Sequence, residues 1–262
     1  MTAILTVSLA ALGAAGLTLY SGFGLGTLLL PVFALFLPVE AAVGATALVH
    51  GANNAFKAAL VGRLADRDLV LRFGLPAVLA AFAGAAALGW VAHFEAVARY
   101  ELFGREATVT PLKLAMAGLM AAFALLEFSP RLRRLRFSRR WLVPGGLLSG
   151  FFGGFSGHQG ALRSAFLVKV GVSTEAFVGT NAVIGLLVDL ARLAVYGGLL
   201  AGSGGAALAG GRWPLVLAGT LAAFAGVLLA RRFLHKVTMS AVQALTGAML
   251  LAVALALGSG LI

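Results

Sequence analysis

Long apolar runs follow one another along almost the whole chain, separated by short charged or glycine-rich stretches. The runs show no strict alternation of apolar and polar positions, which indicates helices rather than the strands of a β-barrel. Because a helix needs about 20 mainly apolar residues to cross a bilayer, the pattern predicts about eight to ten membrane segments. The apolar segments are 2–20, 25–38, 41–62, 72–92, 110–128, 142–155, 160–172, 175–199, 213–230 and 238–258.

Glycine-rich turns interrupt two longer stretches of the chain, 2–38 and 142–172. Irregular backbone is not tolerated next to lipid, whereas broken helices that pack inside the protein are. We therefore expect each stretch to form a pair of broken or re-entrant helices rather than two clean crossings. The predicted fold is all-α, in a polytopic integral membrane protein.

Composition agrees with this prediction. Hydrophobic residues make up 61% of the 262 positions and charged residues 11%, whereas soluble proteins have about 25% charged residues. The chain has no cysteine, which excludes disulfides and thiolate chemistry. The first apolar segment resembles the core of a signal peptide but lacks a basic start, so we expect it to remain in the mature protein.

Positive charge is concentrated in a few short loops. A net charge of +11 is also found in nucleic-acid-binding proteins, but this chain offers no aqueous domain to carry a basic face, so nucleic acid is not an expected partner. The loops 63–72, 131–140 and 231–236 hold most of the basic residues, and the positive-inside rule places them on the cytoplasmic side. The loops 93–110 and 200–212, and with them both termini, are expected on the opposite side. The lipid bilayer is the predicted surrounding.

A shift of 135 positions aligns residues 21–57 with residues 156–192 without a gap. It places Ser21-Gly22 on Ser156-Gly157, Glu40 on Glu175, Gly44 on Gly179, Asn54 on Asp189 and Lys57 on Arg192. Segment 41–62 ends at a cytoplasmic loop, whereas its mate 175–199 begins at one, so the two repeats are predicted to be inverted. The predicted organisation is a first membrane repeat at 1–128, a basic cytoplasmic connecting loop at 129–141 and a second membrane repeat at 142–262.

Inverted repeats with broken helices are common in secondary transporters, whose substrate site lies near the midplane where the repeats meet. We therefore expect the two glycine breaks to meet there. They read Ser21-Gly-Phe-Gly-Leu-Gly26 and Gly153-Gly-Phe-Ser-Gly-His-Gln-Gly160. Glycine lets the backbone turn towards a ligand, and the following helix presents unpaired amide hydrogens that suit an oxyanion. The alternative is close helix packing by small residues. The candidate residues are Ser21, Gly22, Gly24, Ser156, Gly157, His158 and Gln159.

Polar side chains form a stripe on one face of segment 41–62, and the mate segment carries a comparable one. The two stripes consist of Thr46, His50, Asn53, Asn54 and Lys57, and of Thr180, Asn181, Asp189, Arg192 and Tyr196. Lys57 and Arg192 would supply positive charge to an anion, while Asn53, Asn54 and Asn181 would supply amide groups. Asp189 and Arg192 have the spacing of an ion pair. For Lys57 the alternative is snorkelling from a position near the helix end.

Arg163 follows the second break by about one helical turn, and its planar guanidinium matches an oxyanion better than a lysine does. Lys169, near the end of the same segment, is expected to anchor the segment at the membrane surface. His50, His158 and Asp189 are candidates for a coupling proton, because histidine titrates near neutrality and a buried acid can be shifted there. Satisfied polar groups of the core are the alternative.

Enzyme motifs are missing from the chain. It contains no His-Glu-x-x-His, no phosphate-loop lysine and no serine elbow between a strand and a helix. We therefore predict no metal, no cofactor and no enzymatic activity.

Several of these motifs resemble the TauE/SafE sulfite exporter family. The likeness rests on the break at 21–27 with Pro31, on the run at 40–46 with Asn53 and Asn54 after it, and on the echo of both in the second half. It implies a permease of two inverted repeats that moves sulfite, thiosulfate, sulfonates or related organosulfur anions across the bacterial inner membrane. Members often carry a fuller glycine cluster in the second break. Here His158, Gln159 and Arg163 would fit a larger or differently hydrated anion.

A carrier for a small anion is the leading hypothesis. An anion channel is the alternative within transport, and it would show a continuous polar pore. A membrane-embedded enzyme or a receptor for a small anion is the alternative from another class, motivated by His158, Gln159 and Asp189. The sequence leaves open the direction of transport and whether the chain forms a homodimer.

Overall fold

The structure, a computed structural model, describes residues 1–21, 25–102, 104–129, 131, 137–167, 170–201, 212–233 and 239–262. Counting Arg67–Ala92 as one continuous helix, the described residues form ten helices and one short β-hairpin. Each helix falls in one of the ten apolar segments. The predicted all-α, polytopic membrane fold is confirmed.

The first half of the chain contains five helices. They are α1 (Thr2–Ser21), α2 (Leu25–Ala34), α3 (Val39–Val61), α4 (Arg67–Ala92) and α5 (Pro111–Phe128). Side-chain caps define two of the starts, because Asp66 accepts a hydrogen bond from the Leu69 amide at 3.0 Å and Thr110 accepts one from the Lys113 amide at 3.2 Å. A π-helical turn at Val70–Gly74 lies within α4.

The second half also contains five helices. They are α6 (Leu142–Ser156), α7 (Gly160–Leu167), α8 (Thr174–Ala201), α9 (Trp213–Phe233) and α10 (Met239–Gly258). Helix α6 ends at Gly157, whose φ of 81° lies in the left-handed region that favours glycine. This residue makes the chain turn between the two short helices of the second glycine-interrupted pair.

Four helical stretches within the described residues are long and apolar enough to cross a membrane. They are Arg67–Ala92, Pro111–Phe128, Thr174–Gly197 and Trp213–Ala230. Shorter apolar stretches occur in α1, α2 and α10. Helix α3 is 23 residues long but carries the polar stripe. Polar side chains in a membrane protein face other helices or a polar cavity rather than lipid.

Two of the predicted basic loops have different boundaries in the structure. Most of 63–72 is helical, since a 3₁₀ turn at Gly62–Leu64 is followed by α4, which the Asp66 cap starts at Arg67. Arg231 and Arg232 lie in the last turn of α9 rather than in a loop. Residues 132–136 and 234–238, and Lys169, lie outside the described residues. The side of the membrane that each loop faces stays a prediction.

A β-hairpin occupies part of the loop at 93–110, where no strand was predicted. Strands β1 (Ala98–Leu102) and β2 (Arg105–Val109) pair antiparallel. The hairpin is joined to the end of α10 by hydrogen bonds from the Thr108 amide to the Gly260 carbonyl at 3.0 Å and from the Tyr100 hydroxyl to the Ser259 carbonyl at 2.7 Å. Residues 98–102 do alternate apolar and polar side chains, as a strand does, but this short signal stands in a charged loop between long apolar runs.

The helices of the two halves pack in the same way. Taken in chain order, helices α1 to α5 of the first half have α6 to α10 of the second half as their mates. Helix α1 packs along α9, and their mates α6 and α4 pack along each other in the same way. Helix α3 packs against its own mate α8, and α5 packs against its mate α10. Asn54 donates a hydrogen bond to Asp189, its aligned residue in the second half, at 2.7 Å.

The mates run in opposite directions. Gly51 of α3 lies next to Leu193 of α8, whereas Gly62, which directly follows the end of α3, lies next to the earlier residue Val183 of α8. Helices α5 and α10 are antiparallel as well. Repeats related by an axis in the membrane plane require this direction. The packing therefore supports the predicted inversion of the repeats.

Glycines on α6 bring two helix backbones into contact. A Cβ on Gly150 or Gly154 would collide with the carbonyl oxygen of Ala77 or Ala81 on α4. Small residues at such interfaces are how membrane helices approach closely. Gly154 of the second break thus serves helix packing, the alternative interpretation of the glycines, whereas Gly157 makes the turn.

We predict that Gly150→Ala lowers the unfolding temperature of the protein in detergent. The added methyl group meets the backbone of Ala77, which moves only if α4 and α6 separate, and overpacking of this kind costs about 1–3 kcal/mol. Gly118→Ala is the control, because a Cβ there meets nothing within 4 Å and alanine favours a helix over glycine by about 1 kcal/mol. Equal unfolding temperatures for the two variants would contradict the described α4–α6 contact.

Candidate functional site

The structure brings the second glycine break next to the residues that follow the first. A Cβ on Gly26, in the first turn of α2, would lie 3.2 Å from the carbonyl oxygen of Gly157 and 3.6 Å from Cγ2 of Thr46 on α3. Gly22 and Gly24 lie outside the described residues. The side chain of Ser21 is likewise not described, although its backbone ends α1.

Asp189 on α8 is the centre of a buried polar network. Its Oδ2 accepts hydrogen bonds from His50 Nδ1 and Asn54 Nδ2 on α3, both at 2.7 Å. Its Oδ1 accepts one from Gln159 Nε2 at 3.2 Å and lies 2.8 Å from NH2 of Arg192. The Asp189 side chain is completely buried, and these partners occupy both of its oxygens. The network therefore stabilises the ionised carboxylate.

Arg163, near the start of α7, is oriented by two neutral amides. Its Nε donates a hydrogen bond to Asn181 Oδ1 at 2.6 Å, and its NH1 donates one to Gln159 Oε1 at 2.8 Å. The backbone carbonyl of Gln159 accepts a hydrogen bond from Ser149 Oγ at 3.0 Å, which holds Gln159 between Arg163 and Asp189. The amides position the Arg163 guanidinium but do not neutralise it.

Arg192 connects Asp189 to the second break. Its NH1 donates to the carbonyl of Gly153 at 3.4 Å and lies close to Gly157, where a Cβ would be 2.6 Å away. The contact of NH2 with Asp189 is an ion pair without the angles of a hydrogen bond, so NH2 and Nε have no hydrogen-bond partner among the described residues. Nε of this fully buried guanidinium is thus available to a ligand, whereas NH2 already faces the Asp189 carboxylate.

His158 lies within the second break and is buried. Its ring stacks on Phe123 of α5 with 5.0 Å between the ring centroids. Its Nδ1 lies 3.0 Å from Ser156 Oγ, and Ser156 in turn donates to the carbonyl of Phe152 at 3.1 Å. Nε2 of His158 has no partner in the described part of the chain. A buried polar atom without a partner is costly, which indicates a position for a ligand.

Three residues of the α3 stripe are also incompletely paired. Both polar side-chain atoms of Asn53, and Oγ1 of Thr46, are buried without a hydrogen bond to any described residue. Lys57 is 8% exposed, and no ion pair joins it to the described acids. A snorkelling lysine would reach the surface, so the burial of Lys57 disagrees with that alternative.

Gly185 is a residue of this region that sequence analysis missed. A Cβ there would lie 2.7 Å from Asn54 Nδ2 and 3.3 Å from Arg163 NH1. Glycine at this position lets an amide and a guanidinium approach α8 closely. The sequence could have indicated this role, because Gly185 lies one turn before Asp189 on the same face of the helix.

The buried network carries more positive than negative charge. Lys57, Arg163 and Arg192 are buried cations, and Asp189 is the carboxylate among them. Glu127, another buried acid, lies on α5 against Gly247 of α10. A buried charge without compensation costs several kcal/mol. The arrangement therefore favours a bound anion.

The family model Sulfite exporter TauE/SafE matches residues 7–257. No curated protein matches the chain. The chain therefore belongs to the TauE/SafE sulfite exporter family, as its motifs predicted, and is a multi-pass membrane protein of a transporter family.

We expect Arg192→Gln to abolish anion binding and to destabilise the protein. Removing one partner of a buried ion pair costs about 3–5 kcal/mol, because Asp189 would be left as an unpaired carboxylate. The measurement is the unfolding temperature in detergent with and without sulfite or thiosulfate. The exposed Arg99→Gln serves as the control for charge.

A double variant separates the two effects of this substitution. Asp189→Asn with Arg192→Gln removes both charges, so it should recover stability but not the stabilisation by anions. If the double variant responds to the anions like the wild type, Arg192 does not belong to the binding site.

Proposed function

We propose that this member of the TauE/SafE family is a carrier for a small sulfur-containing anion, such as sulfite, thiosulfate or an organosulfonate, which binds where the two glycine breaks meet. Family membership supplies the class of protein, a permease for sulfur anions. The observation that carries the site is the buried surplus of positive charge formed by Lys57, Arg163 and Arg192 around Asp189.

The unpartnered donors suggest how the anion is held. Arg192 offers Nε, which has no hydrogen-bond partner among the described residues, as a charged donor to one oxygen of the anion. Thr46 lies beside Gly26 with its methyl carbon Cγ2, and its buried hydroxyl has no hydrogen-bond partner among the described residues, so we assign that hydroxyl to the same ligand. His158 Nε2, beside Gly157, is a further donor when it carries a proton. These groups suit the three oxygens of a sulfite or sulfonate.

Arg163 and the amide groups complete the proposed site. Asn54, Gln159 and Asn181 position the charged groups through the hydrogen bonds described above, and Asn53 and Lys57 lie on the same stripe of α3. The short helices α2 and α7 begin just after the two breaks, so their amide hydrogens and positive dipole ends add to the attraction for an anion. The arrangement resembles broken helices that meet in inverted-repeat transporters.

Alternating access between two inverted repeats is the proposed mode of transport. The repeats would be 1–128 and 142–262, joined by the loop at 129–141, in the bacterial inner membrane. The basic loops would face the cytoplasm and both termini the opposite side. The exchange symmetry of the helix contacts and the antiparallel mates α3 and α8 support this proposal. The anion would then bind between the repeats and be released on either side.

We predict that Arg163→Lys weakens the binding of sulfur anions roughly 10- to 100-fold, the effect of losing one to two hydrogen bonds to a charged group. Lysine keeps the charge but cannot donate to Asn181 and Gln159 from a planar fork. Gln159→Ala should also weaken binding, since it removes the link between Arg163 and Asp189. The measurement is titration calorimetry at matched pH and ionic strength, with Arg99→Lys as the control. Wild-type affinity in both site variants would place the binding site elsewhere.

We expect proteoliposomes containing the protein to show counterflow. Vesicles loaded with unlabelled thiosulfate should transiently accumulate labelled external thiosulfate, because a carrier exchanges substrate across the membrane while a channel only dissipates gradients. A panel of sulfite, thiosulfate and sulfonates identifies the preferred anion, and empty liposomes are the control. Passive equilibration without counterflow would favour the channel. Chemical conversion of the anion would favour the enzyme.

A further inference from the structure

We infer that His50 binds one proton together with the transported anion, so that the protein moves an anion and a proton in the same direction. This inference rests on the proposed function and adds the coupling ion to it. The inference rests on the contacts of the His50 ring. One edge of the ring contacts the Asp189 carboxylate, and the other edge faces the junction of the two breaks, the contact between Gly26 and Gly157.

The Asp189 contact determines which nitrogen of His50 carries the fixed proton. Asp189 is ion-paired with Arg192 and can only accept hydrogen bonds in its ionised form. His50 Nδ1, at 2.7 Å from Oδ2, must therefore be the protonated nitrogen. Asn54 Nδ2 and His50 Nδ1 then both donate to Asp189 Oδ2, and the 3.2 Å between these two nitrogens is a contact between neighbouring donors rather than a hydrogen bond.

The opposite edge of the ring faces the proposed anion site. A Cβ on Gly26 would lie 3.7 Å from His50 Cδ2 and 3.2 Å from the carbonyl oxygen of Gly157. Cδ2 is bonded to Nε2, the nitrogen that is unprotonated in the neutral ring. A proton from water can bind Nε2 without disturbing the hydrogen bond from Nδ1 to Asp189, and it leaves from the same atom.

Charge couples this proton to the anion. Protonation of Nε2 adds one positive charge to a buried region that already holds more cations than carboxylates. Such a charge is costly alone but is compensated when an anion occupies the junction. Proton and anion therefore favour each other's binding, and the coupling is reciprocal.

Other charged groups around His50 are less suited to this role. They are Asp189 and Arg192 on α8 and Lys57 on α3 itself. Helix α2 carries no charged residue, and the charges of α9 lie in its last turn at Arg231 and Arg232. Asp189 is held as an ion by its four partners. Of these four groups, His50 is the one that titrates near neutrality and can change its charge without breaking an ion pair. The experiment below separates it from His158, whose Nε2 lacks a partner among the described residues.

The test uses thiosulfate, which does not titrate near neutrality, in proteoliposomes with an imposed pH gradient and no membrane potential. We expect the wild type to accumulate thiosulfate in the direction of proton flow. Its affinity for thiosulfate should fall as the pH rises, by at most about tenfold per pH unit, because one proton binds with each anion. The variant His50→Gln can still donate a hydrogen bond to Asp189 but cannot bind the proton. It should lose pH-driven accumulation, and its thiosulfate affinity should no longer depend on pH.

Matched variants decide between the possible outcomes. The exposed His93→Gln should behave like the wild type. Retained pH-driven accumulation in His50→Gln, or its loss only in His158→Gln, would overturn the inference. Counterflow of thiosulfate by the wild type without any response to the pH gradient would also overturn it while leaving the proposed function intact. The absence of any anion transport by the wild type would refute the proposed function itself.

Discussion

The buried carboxylate of Asp189 is the constraint on which the arrangement of the site depends. It holds His50 and Asn54 of α3, Gln159 of the second break and Arg192 of its own helix in fixed positions. Ionic partners in a low-dielectric interior must be close and well oriented to offset their loss of hydration. The carboxylate is outnumbered by the cations around it. It therefore positions the side chains of the site but leaves a net positive charge that an anion can compensate.

The two halves share their packing but not their chemistry. Asn54 and Asp189 are aligned in the repeat and contact each other, which places the symmetric centre of the helix contacts inside the site. The 135-residue shift, however, aligns Arg163 with Leu28 and His50 with Gly185. Most of the buried charge therefore comes from the second half, while the first half contributes amides, His50 and Lys57. The symmetry supports a mechanism of movement, and the asymmetry supports a single binding site.

Much of the fold could be predicted because lipid imposes simple rules on a sequence. A helix must satisfy its own backbone hydrogen bonds and present apolar side chains over a fixed length, so the apolar runs predicted all ten helices. The turn of the second pair was readable from its glycines, and the ion pair of Asp189 with Arg192 from a spacing of three residues. These features are local in the chain. The hairpin at 93–110 was missed because its alternation of apolar and polar residues covers only a few positions and is overshadowed by the long apolar runs on either side.

The sequence by itself determined the class of the protein, its helices and the types of side chain that its interior would contain. Only the tertiary structure decided how these side chains meet. The hydrogen bond from His50 to Asp189 and the burial of Lys57 depend on the packing of α3 against α8. The role of Gly185, which admits Asn54 and Arg163, depends on the same contact. The contacts of His50 and Asn54 with Asp189 join residues more than a hundred positions apart. Periodicity within a helix predicts which face is polar but not which partner that face will find.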